Sequence, residues 1–205
     1  VLAHAGERLK LIANYGTGQL GLGRSLSSDE LANLQGCSWD SDRNLTTGGA
    51  GYADTIRFSN LMGLNPTITL FQEPIEMFDD GGDVLDGAYG NMYPTIDASA
   101  VDKGLPVNYN VTVKGMRVKG AHVANFYIIG TGNTLLNVAA WQADGVGISI
   151  IGDNNTIDGA IVGVAAANTA VCGADGNGEA GIKLSTLAGW PTRHNVIKNS
   201  TINCN

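Results

Sequence analysis

The chain carries 205 residues, with 19 Asp and Glu against 12 Lys and Arg, a net charge of −7 and a pI near 4.7. That balance, with the cations scattered, opposes nucleic-acid binding, which needs clustered Lys and Arg to neutralise phosphates. No apolar run reaches the ~18 residues of a membrane-spanning helix, and 29 glycines with recurrent Asn and Thr favour short strands and tight turns over long helices.

At the N-terminus, the first residue is Val1 rather than Met, and Ala3, His4 and Ala5 read like the remnant of an A-x-A signal-peptide site, so secretion is expected. Ser27 and Glu30 form a capping-box pair, Leu31 and Leu34 share one helical face, and Gly36 supplies a stop. This pattern predicts a short helix over 28–35 that covers the N-terminal end of the fold. Residues 1–52 are assigned to this lead-in and cap, and 53–205 to one continuous domain.

Strand-like runs follow at 54–58, 67–70, 74–77, 84–86 and 95–97. Among them, Asp79, Asp80, Asp83 and Asp86 surround Gly81 and Gly82, which places hard oxygen ligands on a flexible turn, as Ca²⁺ requires. The run matches neither the EF-hand loop nor the G-G-x-G-x-D repeat, so a solvated acidic turn is the favoured reading and a calcium site the alternative.

The second half repeats. A shift of 22 residues lays Ile128, Ile129, Gly130, Asn133, Thr134 and Leu135 onto Ile150, Ile151, Gly152, Asn155, Thr156 and Ile157, and carries Thr112 onto Thr134. The period is too short for a propeller blade or a helical hairpin and fits one rung of a β-solenoid, in which equal positions stack on parallel strands ~4.8 Å apart. Ile128 over Ile150 and Leu135 over Ile157 are expected to form the interior column. Asn133, Asn155 and Asn195 fall at equivalent turn positions, where stacked amides form a structural ladder from rung to rung.

Toward the C-terminus the repeat stretches. Gly181, Ile182 and Leu184 match Gly147, Ile148 and Ile150 at an offset of 34, and Asn195 and Ile197 match Asn155 and Ile157 at 40. Two insertions account for this, one over 169–180 and one within 185–194 that includes Trp190 and Pro191. Ser200, Thr201 and Ile202 read as a strand with no capping helix after it, an open edge that invites another copy or further domains. Cys37, Cys172 and Cys204 have no C-x-x-C spacing, and Cys172 with Cys204 is the preferred bridge. Sequons begin at Asn44, Asn110, Asn154 and Asn199, and in an Asn- and Thr-rich chain they are equally a product of composition.

Ala53–Phe58 reads A-D-T-I-R-F, Thr67–Leu70 T-I-T-L, Pro74–Met77 P-I-E-M, Thr95–Ala98 T-I-D-A, and Gly152–Gly159 G-D-N-N-T-I-D-G. This series resembles the pectate-lyase-like superfamily of right-handed parallel β-helices, and in particular its secreted bacterial surface proteins. The segment Gly16–Gly21 departs from those proteins in lacking an S-L-R triplet, and 36–52 reads as an insertion. The resemblance implies a fold and an extracellular or cell-surface location, but no activity, because one fold hosts many functions.

Polysaccharide lyases of this fold pair a Lys or Arg base with a cation that neutralises the uronate carboxylate. Lys183, Arg193 and His194 form the one basic cluster in the regular part, beside Trp190, which offers a face for a sugar ring. Arg193 and His194 read equally as polar turn residues, and Trp39, Trp141 and Trp190 as packing residues. No G-x-S-x-G, H-E-x-x-H or phosphate-cradling glycine loop is found.

The expected fold is all-β: a right-handed single-stranded parallel β-helix of about 22 residues per rung with a short N-terminal capping helix. The expected role is a secreted structural or cell-surface protein that self-assembles or joins an extracellular fibre or adhesin, leaning away from an enzyme and with no cofactor other than the calcium alternative. The competing readings are a lyase acting on a pectate- or alginate-type glycan through Lys183, Arg193 and His194, and a non-catalytic carbohydrate-binding adhesin using Trp190.

Overall fold

Short runs such as Thr-Ile-Asp and Thr-Val-Lys place one apolar residue between two polar ones, which suits a three-residue strand that buries only its centre. The structure, a computed structural model, describes residues 67–70, 84–88, 93–164 and 174–205, and the backbone of 55–57. The predicted helix over 28–35 and the run at 74–77 lie outside the described residues. The described residues form 16 strands and no helix, and so none long and apolar enough to cross a membrane.

The strands fall into three sheets in which every pairing is parallel. The first contains β1 (Thr55–Arg57), β3 (Val84–Asp86), β6 (Thr112–Lys114), β9 (Thr134–Leu136), β12 (Thr156–Asp158) and β15 (Val196–Lys198), in that order. The second contains β2 (Thr67–Thr69), β4 (Thr95–Asp97), β7 (Arg117–Lys119), β10 (Ala139–Trp141), β13 (Ile161–Val162) and β16 (Thr201–Ile202). The third contains the longer strands β5 (Lys103–Val107), β8 (Ala124–Ile129), β11 (Val146–Ile151) and β14 (Ala180–Leu184). From β3 to β4 the chain steps from the first sheet to the second, and from β4 onward it visits third, first and second in turn.

Registers follow the sequence repeat. Thr112 pairs with Thr134 and Thr134 with Thr156, Ile128 with Ile150, and Leu135 with Ile157. The stretched offsets hold as well, since Ile148 pairs with Ile182 and Ile157 with Ile197. Equivalent apolar residues therefore stack: Leu85, Val113, Leu135 and Ile157 on the first sheet, Ile96, Val118, Ala140 and Val162 on the second, and Phe126 with Ile148 on the third. All are fully buried in one apolar cluster.

Tight turns between strands rest on single residues in the left-handed region. Asn110, Gly132, Asn154 and His194 take φ of 54°, 76°, 56° and 54° at equivalent turn positions ahead of the first sheet. Asn and Gly tolerate that conformation best, which is why they recur there. Gly152, at φ 132°, is constrained further, because a Cβ would lie 2.0 Å from the Gly130 carbonyl oxygen of the preceding repeat.

Candidate functional site

The turn joining the third sheet to the first holds six of the residues that the sequence singles out, Asn133, Asn155, Trp190, Arg193, His194 and Asn195. Its interior is an asparagine column. Asn155 Oδ1 accepts from the Asn133 backbone N–H at 2.9 Å and from Asn133 Nδ2 at 3.0 Å, and Asn155 Nδ2 donates to Gly130 O at 3.1 Å. Asn195 Oδ1 accepts from Asn155 N at 2.9 Å, and its Nδ2 donates to Gly152 O at 2.8 Å. Asn133 and Asn155 are buried, so these amides meet turn N–H and carbonyl groups that water does not reach.

The insertion within 185–194 is pinned at both ends of this turn. Thr192 Oγ1 donates to Ser185 O at 2.6 Å, and Trp190 N donates to Leu187 O at 2.8 Å across a turn that uses Gly189 at φ 86°. The half-buried Trp190 ring is thereby set beside Tyr109, with centroids 5.8 Å apart and planes tilted by 40°. The two rings and Pro191 supply the apolar lining of a cleft of about 200 Å³, and Thr131, Asp153 and Asn154 its polar groups.

The other basic candidates are placed differently. Lys183 lies on β14, with its ammonium in an ion pair with Glu179, and Arg193 uses its backbone N–H to donate to Asp153 Oδ1 at 2.6 Å. Among the described residues no hydrogen bond or ion pair joins Lys183 to Arg193 or to His194, and His194 fills a left-handed turn position. Asp79, Asp80 and Asp83 lie outside the described residues, while Asp86 is buried and pairs with Lys114 at 3.1 Å. No group of three or more His, Cys, Asp or Glu side chains gathers among the described residues. Cys204 is disulfide-bonded, and Cys37 and Cys172 both lie outside the described residues.

Outward-facing charges also stack. Asp97 pairs with Lys119 at 3.0 Å and Asp158 with Lys198 at 3.3 Å, each between directly adjacent strands. Burial alone would raise the Asp97 pKa, but hydrogen bonds from the Lys119 and Ser99 side chains and the Ser99 N–H, with the Lys119 charge, outweigh it and hold the carboxyl below its usual range. Asp158 is lowered chiefly by a hydrogen bond from Asn199, against an opposing desolvation and with help from a hydrogen bond and the charge of Lys198.

Three features escape a reading of motifs. Tyr109 occupies the turn position shared by Thr131, Asp153 and Arg193, so the repeat places it at the turn, yet nothing in its spacing announces contact with Trp190. Buried Asn125 bridges the second and third sheets, its Oδ1 accepting from Ala121 N at 3.0 Å and its Nδ2 donating to Trp141 O at 2.8 Å. One repeat later Gly147 stands at that register, and Asn177, from the longer connection that precedes β14, takes over the role by accepting from Ala143 N at 3.1 Å. No family model, no curated protein and no solved structure matches this chain.

Proposed function

We propose that the three sheets are the walls of one right-handed parallel β-helix, and that the protein is an exported structural or surface scaffold that self-associates. The observation that carries the reading is the state of the last set of strands. Leu184, Ile197 and Ile202 are 50%, 40% and 47% exposed, while their register partners Ile150, Ile157 and Val162 are fully buried. Three interior positions, one per sheet, are thus left for a further rung to cover, and β14, β15 and β16 are the strands that such a rung would extend.

A surface of that cross-section is matched by strand edges with the same three-sheet spacing, which further rungs of this kind supply, whether from the same chain or from another copy. The three side chains are about half exposed, so covering them contributes roughly 1 kcal/mol each, ~3 kcal/mol from each copy, before backbone pairing. Export is supported by the Cys204 disulfide, because such bonds form and persist in oxidising compartments.

The lyase reading draws no comparable support, since Lys183 is held by Glu179 and is not joined to Arg193 or His194. Sedimentation velocity with negative-stain microscopy over a wide concentration range tests the proposal. Dimers or filaments that Ile197→Asp reduces to monomers, with the circular dichroism spectrum unchanged, are expected. Monomers at every concentration, or assembly indifferent to Ile197→Asp and Ile202→Asp, overturn it.

A further inference from the structure

We propose that the cleft beside the packed Tyr109–Trp190 ring pair binds one neutral pyranose ring of a glycan and discriminates against uronates. The site does not depend on self-association. Its volume of about 200 Å³ falls below the ~300–1,000 Å³ typical of pockets for drug-sized ligands and suits a single six-membered ring with its hydroxyls. A pyranose carries an apolar face of axial C–H groups and a polar rim, so it asks for aromatic surface and hydrogen-bonding side chains together.

Both are present. Trp190 and Tyr109 come from sequence positions 81 residues apart, and the insertion brings them together. Around them stand polar groups with no side-chain partner among the described residues: the Thr131 hydroxyl, the Asn154 amide and Asp153 Oδ2, while Asp153 Oδ1 accepts only from Arg193 N there. A carboxylate offers about four lone-pair sites, so Asp153 retains acceptor capacity for sugar hydroxyls, which are donors. The tie between Thr192 and Ser185 fixes the loop before any ligand arrives, which limits the ordering that binding would otherwise impose.

The same carboxylate sets the selectivity. Among the described residues no Lys or Arg lines the cleft, so a uronate carboxylate entering it meets Asp153 without a neutralising cation from them. A methylammonium cation is the competing ligand that aromatic rings beside a carboxylate would also attract, and the experiment separates the two.

The probes are methyl glycosides of glucose, galactose, mannose and N-acetylglucosamine, galacturonic acid and choline, each followed by saturation-transfer NMR with the full chain. At least one neutral glycoside should show transfer to its ring C–H protons, with galacturonic acid and choline silent. Trp190→Ala should weaken binding about tenfold or more, the scale of a lost aromatic contact. Asp153→Asn, which is nearly isosteric, should narrow the gap between galactose and galacturonic acid. Ile197→Asp should leave sugar binding unchanged, which keeps this result separate from the assembly test. Silence from every glycoside, preference for choline or galacturonic acid, or binding indifferent to both Trp190→Ala and Asp153→Asn overturns the proposal.

Discussion

Replacing Asn155 with Ala removes the centre of the asparagine column without touching the strands. Three groups lose partners: the backbone N–H and side-chain amide of Asn133, and the carbonyl of Gly130. Asn155 and Asn133 are 0% and 1% exposed, so water does not replace the lost bonds without opening the turn. A buried polar group left unsatisfied costs ~1–3 kcal/mol, and a shared site does not lose the full sum, which gives about 4 kcal/mol for Asn155→Ala. Asn195→Ala strips two comparable bonds from a half-buried position, where solvent substitutes, and should cost about 1 kcal/mol. Urea unfolding monitored by far-ultraviolet circular dichroism measures both. Equal effects, or a loss under ~1 kcal/mol for Asn155→Ala, would refute the argument that burial makes this column decisive. Asn155→Asp refines the test, because a carboxylate facing the Gly130 carbonyl is disfavoured while its protonated form donates again. That variant should gain stability relative to the parent as pH falls, since its folded pKa is raised.

Asp97 has the opposite sign. Its folded pKa is depressed, so the Asp97–Lys119 pair contributes stability above about pH 4 that is lost as pH falls through the lowered value. At a surface pair this is worth at most ~1 kcal/mol, and Asp97→Asn should flatten that part of the acid limb of a stability-versus-pH curve. Along the interior column, Ile150→Ala should cost ~2–5 kcal/mol by leaving a cavity between its two neighbours. Its register equivalent Leu184, half exposed, should tolerate Ala at well under half that cost in the same urea assay.

The parallel pairing was legible wherever the turns kept their length. Ile128 over Ile150 and Leu135 over Ile157 follow from a 22-residue shift because parallel strands one repeat apart put equal positions together. The insertions were legible too, because apolar triplets reappear in phase after them and Ile197 lands on Ile157. Ahead of residue 112 the signal fades, since Val84 pairs with Thr112 at a spacing of 28 and Thr55 with Val84 at 29, so no single period exists to detect. At the candidate site, periodicity placed Asn133, Asn155 and Asn195 in one turn but not the direction of any side chain in the insertion. The nearness of Trp190 to Tyr109 depends on how the loop folds back at Gly189, which spacing does not encode. The pairing of Asp97 with Lys119, 22 residues apart, was visible in the repeat but carries no motif.

The stacking of identical registers also makes the length of this protein granular. Excising 134–155 would join Asn133 to Thr156 and bring β12 beside β6, setting Thr156 against Thr112 and Ile157 against Val113, and placing the Asp158 carboxylate opposite Lys114. Each junction would meet a surface nearly equivalent to the one it lost. Growth or shrinkage by whole units is therefore mild for such a chain, whereas loss of a single residue inside a strand turns its side chains onto the wrong face. Lineages carrying this architecture should differ from one another by unit number and by loop size at the turns, and seldom by changes of strand length.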